Sequence, residues 1–119
     1  MDKKLKEELI KRLRRTGETR YIQGAGKLRQ TVGVETQHCC LGVLADIVDP
    51  DAWKTHPEKE RAKGFNWDAW TDGEGYEHVD QLPDEIIDSR YQSTLIHMND
   101  TGASFLKIAN WIKKNVIAD

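Results

Sequence analysis

The sequence predicts an α+β fold in one compact domain spanning residues 1–119. Three observations carry that prediction. Apolar residues recur at helical spacing near both ends of the chain and again after Cys39. Short stretches with strand-like alternation lie between those segments, bounded by glycine, asparagine or aspartate. The chain has 119 residues, 38% of them hydrophobic, which suffices for a single core without disulfide or metal staples.

The first element is an amphipathic helix over residues 2–16, with Leu5, Leu9 and Leu13 four apart, Ile10 beside them, and Thr16-Gly17 ending it. Tyr21 to Leu28 reads as a short strand or loop, in which Gly24 and Gly26 permit positive φ or close backbone approach. Thr31 to Gln37 carries Val32 and Val34 in strand alternation. From Cys39 the period turns helical, placing Cys40, Val43, Leu44 and Ile47 on one face until Asp49-Pro50 stops it.

Residues 50–75 are the least regular stretch, with His56 in a loop and Phe65, Trp67 and Trp70 close together. The turn Asp72-Gly73-Glu74-Gly75 and the strand Tyr76 to Val79 suggest a small hairpin. Pro83 suits the first turn of a short helix through Ile87 or Asp88, and Leu95 to Met98 reads as extended. Thr101 or Ser104 caps a last helix whose stripe is Phe105, Ile108, Ala109, Ile112 and Val116, with Lys113-Lys114 at its C-terminal end. The terminal helices and the Cys40 helix are expected to pack around a small antiparallel sheet.

No apolar run approaches the ~20 residues that cross a bilayer, and the charged N-terminus lacks a secretory h-region. Vicinal Cys39 and Cys40 do not suit disulfide geometry. These features together point to a cytoplasmic protein. Net charge is only −2, but residues 1–30 hold ten Lys and Arg against four Asp and Glu, and residues 46–90 hold five against thirteen. The split either solvates two surfaces, draws copies together as a homo-oligomer, or builds a basic face from Arg12, Arg14, Arg15, Arg20, Lys27 and Arg29. A chain of pI about 6.1 is not built for tight duplex binding.

Chemistry concentrates in two blocks, Tyr21 to Arg29 with the following His38-Cys39-Cys40-Leu41-Gly42, and Leu95 to Phe105. Each joins turn-forming residues directly to a helix start, where free N–H groups hold polar ligands. A shared pocket is expected where they meet, with Gln23 and Arg29 on one side and Asn99 and Asp100 on the other. Gly24, Gly26 and Lys27 would add backbone donors and a cation, and Tyr21 or Trp70 would stack on a base. Gly24-Ala25-Gly26-Lys27 is not a phosphate-binding Walker loop, because Leu28 stands where Ser or Thr is required. Asn99 and Asp100 equally suit turn closure and capping. Cys40 or Cys39 at a helix start would serve as a nucleophile with His78 or His97 as base, but Cys40 also sits on the apolar stripe as a small core residue. Consecutive His38, Cys39 and Cys40 diverge, so no zinc set is expected, and no cofactor is implied.

Taken together, Tyr21-x-Gln23-Gly24-x-Gly26-x-Leu28-Arg29, Cys39-Cys40-Leu41-Gly42-Val43-Leu44, Leu82-Pro83 and Asn99-Asp100-x-Gly102-x-Ser104-Phe105-x-x-Ile108-Ala109 resemble a widespread group of small phage and prophage proteins. The likeness spans most of the chain. That group is described mainly as hypothetical proteins, so the resemblance implies a setting, the bacterial host cytoplasm, more than an activity. His38 stands where the pattern often has an aromatic residue, which argues against a family-wide catalytic histidine. The expected function is a non-catalytic accessory protein that binds a small polar ligand, a nucleotide such as a host defence signal, or a host protein. The alternatives are a cysteine-dependent hydrolase or transferase and a protein-interaction module using the acidic middle.

Overall fold

The computed structural model describes residues 1–15, 20–55 and 65–119. Helix α1 is Lys3–Leu13, followed by β1 (Ile22–Gln23), β2 (Arg29–Val32), β3 (Glu35–His38) and α2 (Cys40–Val48). Then come β4 (Trp53–Thr55), β5 (Phe65–Thr71), β6 (Glu77–His78), α3 (Ser89–Asp100) and α4 (Phe105–Asn115). The fold is α+β, as expected. Its six-stranded sheet runs β1-β3-β2-β5-β4, with β6 also on β5. All pairs are antiparallel except β1 with β3. The helices touch in a ring: α1 meets α4 and α2, while α3 meets α2 and α4.

Helix α1 begins at Asp2, whose carboxylate accepts from the Leu5 N–H at 2.9 Å, and ends at Leu13. The expected stop at Thr16-Gly17 lies outside the described residues, as does His56. Leu9 and Leu13 are buried, whereas Leu5 and Ile10 are partly so. In α2 burial is broader than one stripe. All of Cys40 to Ala45 is buried, and Ile47 is only partly covered. The α4 stripe holds at every position, since Phe105, Ile108, Ala109, Ile112 and Val116 are all buried. Ser104, rather than Thr101, caps it by accepting from the Lys107 N–H.

Three expectations need correction. Thr31 to Gln37 is two strands, β2 and β3, joined by Gly33-Val34. Gly33 has φ +66, as the first central residue of a tight hairpin turn requires, and Val34 is fully exposed at the tip. The expected Pro83 helix is a single turn closed by the Ile86 N–H to the Pro83 carbonyl. Leu95 to Met98 is not extended but central to α3, which Asp88 caps. Two of its three fully buried positions are polar, Gln92 and Asn99, so the apolar period is broken. The hairpin around Asp72 to Gly75 is present, pairing Trp70 with His78 and Thr71 with Glu77.

Candidate functional site

The two blocks meet. Gln23 Nε2 donates to Asn99 Oδ1 at 3.1 Å and to the Ala103 carbonyl at 2.8 Å, while its Oε1 accepts from the Phe105 N–H at 3.2 Å. Asn99 Oδ1 also accepts from the Cys40 N–H at 3.2 Å, and its Nδ2 donates to the Gly24 carbonyl at 2.7 Å. These two carboxamides thus tie the N-termini of α2 and α4 to strand β1. Both suit the task because each offers a donor and an acceptor on one short side chain. Next to them, Asp100 Oδ1 accepts from the Gly26 N–H at 3.1 Å, where Gly26 has φ +88. Gly24 is required for the close approach, since a β-carbon there would lie 2.7 Å from Gln37 Cβ.

A hollow of about 400 Å³ lies over this clasp, lined by Gln23, Gly24, Ala25, Gln37, Asn99 and Gly102. A smaller cleft of about 20 Å³ adjoins the same residues' neighbours, Gly26, Lys27, Cys39 and Asp100. Of the expected set, Gln23, Gly24 and Asn99 line the hollow, and Gly26, Lys27 and Asp100 line the cleft. Tyr21 and Arg29 do neither. The strand order explains this: β3 lies between β1 and β2, which sets Arg29 about 10 Å from Gln23 across the sheet. Trp70 lines a separate cleft beside Pro83 and Ile86.

The paired registers Gln23↔His38, His38↔Arg29, Arg29↔Asp68 and Asp68↔Thr55 place a row of polar residues across one sheet face. At its far end Arg29 Nε is 2.6 Å from Asp68 Oδ2, and its guanidinium lies 4.4 Å from the Trp53 ring centroid. Asp46 accepts from the Tyr21 hydroxyl (2.7 Å) and Trp53 Nε1 (3.0 Å), and Arg12 donates to the same hydroxyl. Burial, then the bond to Asp46, pushes the Tyr21 phenol up to about 12. The expected basic face is therefore divided. Arg12, Arg15 and Arg29 gather at Tyr21 and Trp53, Arg14 turns to Asn110 on α4, and Lys27 lies over Trp67.

His38 sits inside this cluster, 8% exposed, with its ring 4.8 Å from that of Tyr21. Among the described residues neither ring nitrogen has a hydrogen-bond partner. Burial lowers its pKa from 6.5 to about 4, with Arg29 adding to the fall and Asp46 and Asp68 opposing it. The folded state therefore takes up the His38 proton less readily than the unfolded state. Stability from this group is complete above pH about 6.5 and declines as pH falls towards 4, by about 3 kcal/mol in total. The difference in unfolding free energy between the wild-type chain and His38→Phe, from urea denaturation at pH 7.5 and 4.5, should shift towards the variant by most of that amount. A difference constant with pH would mean that His38 protonates freely in the fold.

The thiols are closed off. Cys39 caps α2, its Sγ accepting from the Gly42 N–H at 3.4 Å, and Cys40 Sγ lies 3.7 Å from the Leu95 carbonyl. Burial pushes Cys39 up to about 11 and Cys40 well above its ordinary value, so desolvation outweighs the helix start expected to activate them. Neither candidate base serves them: His78 pairs with Asp72 at 2.8 Å, and His97 is exposed on α3. No group of His, Cys, Asp or Glu among the described residues is arranged to hold a metal ion, and no helix there is long and apolar enough to cross a membrane.

Sequence reasoning missed Gln37, which lines the hollow, and the Asp46–Trp53–Asp68 cluster. Nothing in a single strand announces which residues its neighbours bring beside it. No curated protein and no solved structure matches the chain. A family model for a domain of unknown function, DUF8296, matches residues 1–116, and the chain belongs to that family.

Proposed function

We propose that this protein is a non-catalytic binding protein of phage or prophage origin, and that it holds a small polar ligand with a nucleobase-like edge in the Gln23–Asn99 hollow. The observation that carries this reading is the meeting of the two chemically dense blocks beneath one open hollow of about 400 Å³, wide enough to seat one edge of a nucleoside. Buried thiols with raised pKa values support binding over cysteine chemistry. A nucleotide used as a host signal is the version that best fits the resemblance to phage proteins. Neither Arg29 nor Lys27 lines the hollow, so recognition does not rest on phosphate; the carboxamides are held in the clasp and shape the floor, which leaves the second lone pair of Gln23 Oε1 and the rim backbone to meet the ligand.

Calorimetry of the full chain against a panel of nucleosides and nucleotides tests the reading. Ala25 is exposed on the rim, so Ala25→Phe should fill the hollow and leave the fold intact. The variant is expected to weaken the best ligand at least about tenfold, or 1.4 kcal/mol. Affinity should change little between low and moderate salt, since no cation lines the site. Failure of every panel member to bind, or binding that survives Ala25→Phe, would remove the proposal.

A further inference from the structure

A second place gathers positive charge that no ion pair among the described residues offsets. A groove of about 380 Å³ between α1 and α4 is lined by Lys3, Lys6, Arg14 and Lys113, with Glu7 beside them and Ile10 in its floor. The helices run antiparallel and are tied at both ends of the groove. Lys6 Nζ donates to the Val116 carbonyl at 2.6 Å, and Arg14 donates to Asn110 Oδ1 at 2.8 Å. Among the described residues none of the four cations has a carboxylate within ion-pair distance. By contrast Arg12, Arg29, Lys54 and Arg90 are all paired, with Glu8, Asp68, Glu77 and Asp88. Four cations gathered around the single carboxylate of Glu7, with none in an ion pair, leave a net positive field in which an anionic occupant would be held.

We propose that this groove is a docking site for an acidic segment of a partner protein, in extended form and with one aliphatic anchor. Three observations favour that occupant. From Lys3 to Arg14 the helix rises about 16 Å, the span of roughly five residues of extended chain. The Ile10 floor and the aliphatic stems of the lysines offer an apolar seat, which suits a leucine or valine between acidic residues. No aromatic ring lines the groove, whereas single-stranded nucleic acid is held largely by stacking on such rings. This site is separate from the Gln23–Asn99 hollow and does not depend on it.

Fluorescence anisotropy of the full chain with a labelled nonapeptide, eight glutamates around a central leucine, tests the proposal, with oligothymidylate of equal charge in parallel. The peptide is expected to bind and to weaken at least about tenfold from 50 to 300 mM salt. Lys3→Glu with Lys113→Glu, both at exposed positions, should abolish binding while circular dichroism is unchanged. Replacing the central leucine by serine should weaken binding several-fold, and Lys54→Glu outside the groove should not. Three results would overturn the proposal: tighter binding of the oligothymidylate, peptide binding that survives the double reversal, or no peptide binding at low salt. A concentration-dependent mass in sedimentation that the double reversal makes monomeric would assign the groove to a second copy and overturn it as well.

Discussion

Gly42→Ala is expected to leave the protein unfolded or without fixed packing. A β-carbon at Gly42 would lie 1.7 Å from the Leu28 carbonyl oxygen and 2.7 Å from its carbonyl carbon. Both are backbone atoms, so no rotamer change relieves the clash. The same oxygen accepts from the Cys39 N–H at 3.2 Å, and Leu28 is itself fully buried. Helix α2 would have to lift away from the residue that leads into β2, opening the packing of Cys40 to Ala45. At an exposed helical position the same change would stabilise by about 1 kcal/mol, because glycine is the poorer helix former. Here the sign reverses, and the loss should exceed about 4 kcal/mol, beyond the usual range for one substitution. A cooperative urea transition with an unchanged midpoint would mean that α2 does not press on Leu28.

Asn99→Ala is expected to destabilise by about 3–5 kcal/mol. It strips the buried Cys40 N–H and the Gly24 carbonyl of partners and removes one acceptor from Gln23. Each buried group left without a partner costs about 1–3 kcal/mol. Asn99→Asp separates this effect from simple loss of volume. The carboxylate keeps an acceptor for Cys40 but sets a second acceptor against the Gly24 carbonyl, 2.7 Å away in the wild type. A protonated carboxyl restores the donor, so the folded pKa of that aspartate should be raised. The variant should therefore recover part of its stability as pH falls towards the carboxylate range, relative to the wild type. Denaturation midpoints for both variants across pH 7 to 4 would show this. An Asn99→Asp deficit that is flat with pH would place the amide outside the Gly24 contact.

Helix α4 is legible in the sequence because all five positions of its inward stripe are apolar and its cap is the serine just before Phe105. Helix α3 is not, because Gln92 and Asn99 occupy inward positions that period-based reading assigns to hydrophobic residues. Their amides repay burial with tertiary bonds: Gln92 to Leu82 and Ile87, and Asn99 to Gly24 and Cys40. The sequence points to the meeting of Gln23 with Asn99 only through the hydrogen-bonding residues packed into both blocks, since Gln23 ends β1 and Asn99 lies in the last turn of α3. The places of Tyr21 and Arg29 could not, because they follow from a strand order in which β1 pairs with β3 rather than β2. His38 likewise gives no local sign of its burial. Its ring is enclosed by Tyr21 from before β1 and Trp53 on β4, on either side of it in the chain.

The carboxamide clasp also bears on the order in which the chain assembles. Its bonds join residues separated by 59 to 82 positions, so they form only after most of the chain has been gathered. The β2–β3 hairpin and the four helices close over short loops, and the entropy of closure favours them early. Contacts that form after the barrier govern how fast the native state comes apart, not how fast it is reached. Substitutions at Gln23 and Asn99 are thus expected to speed unfolding more than they slow folding.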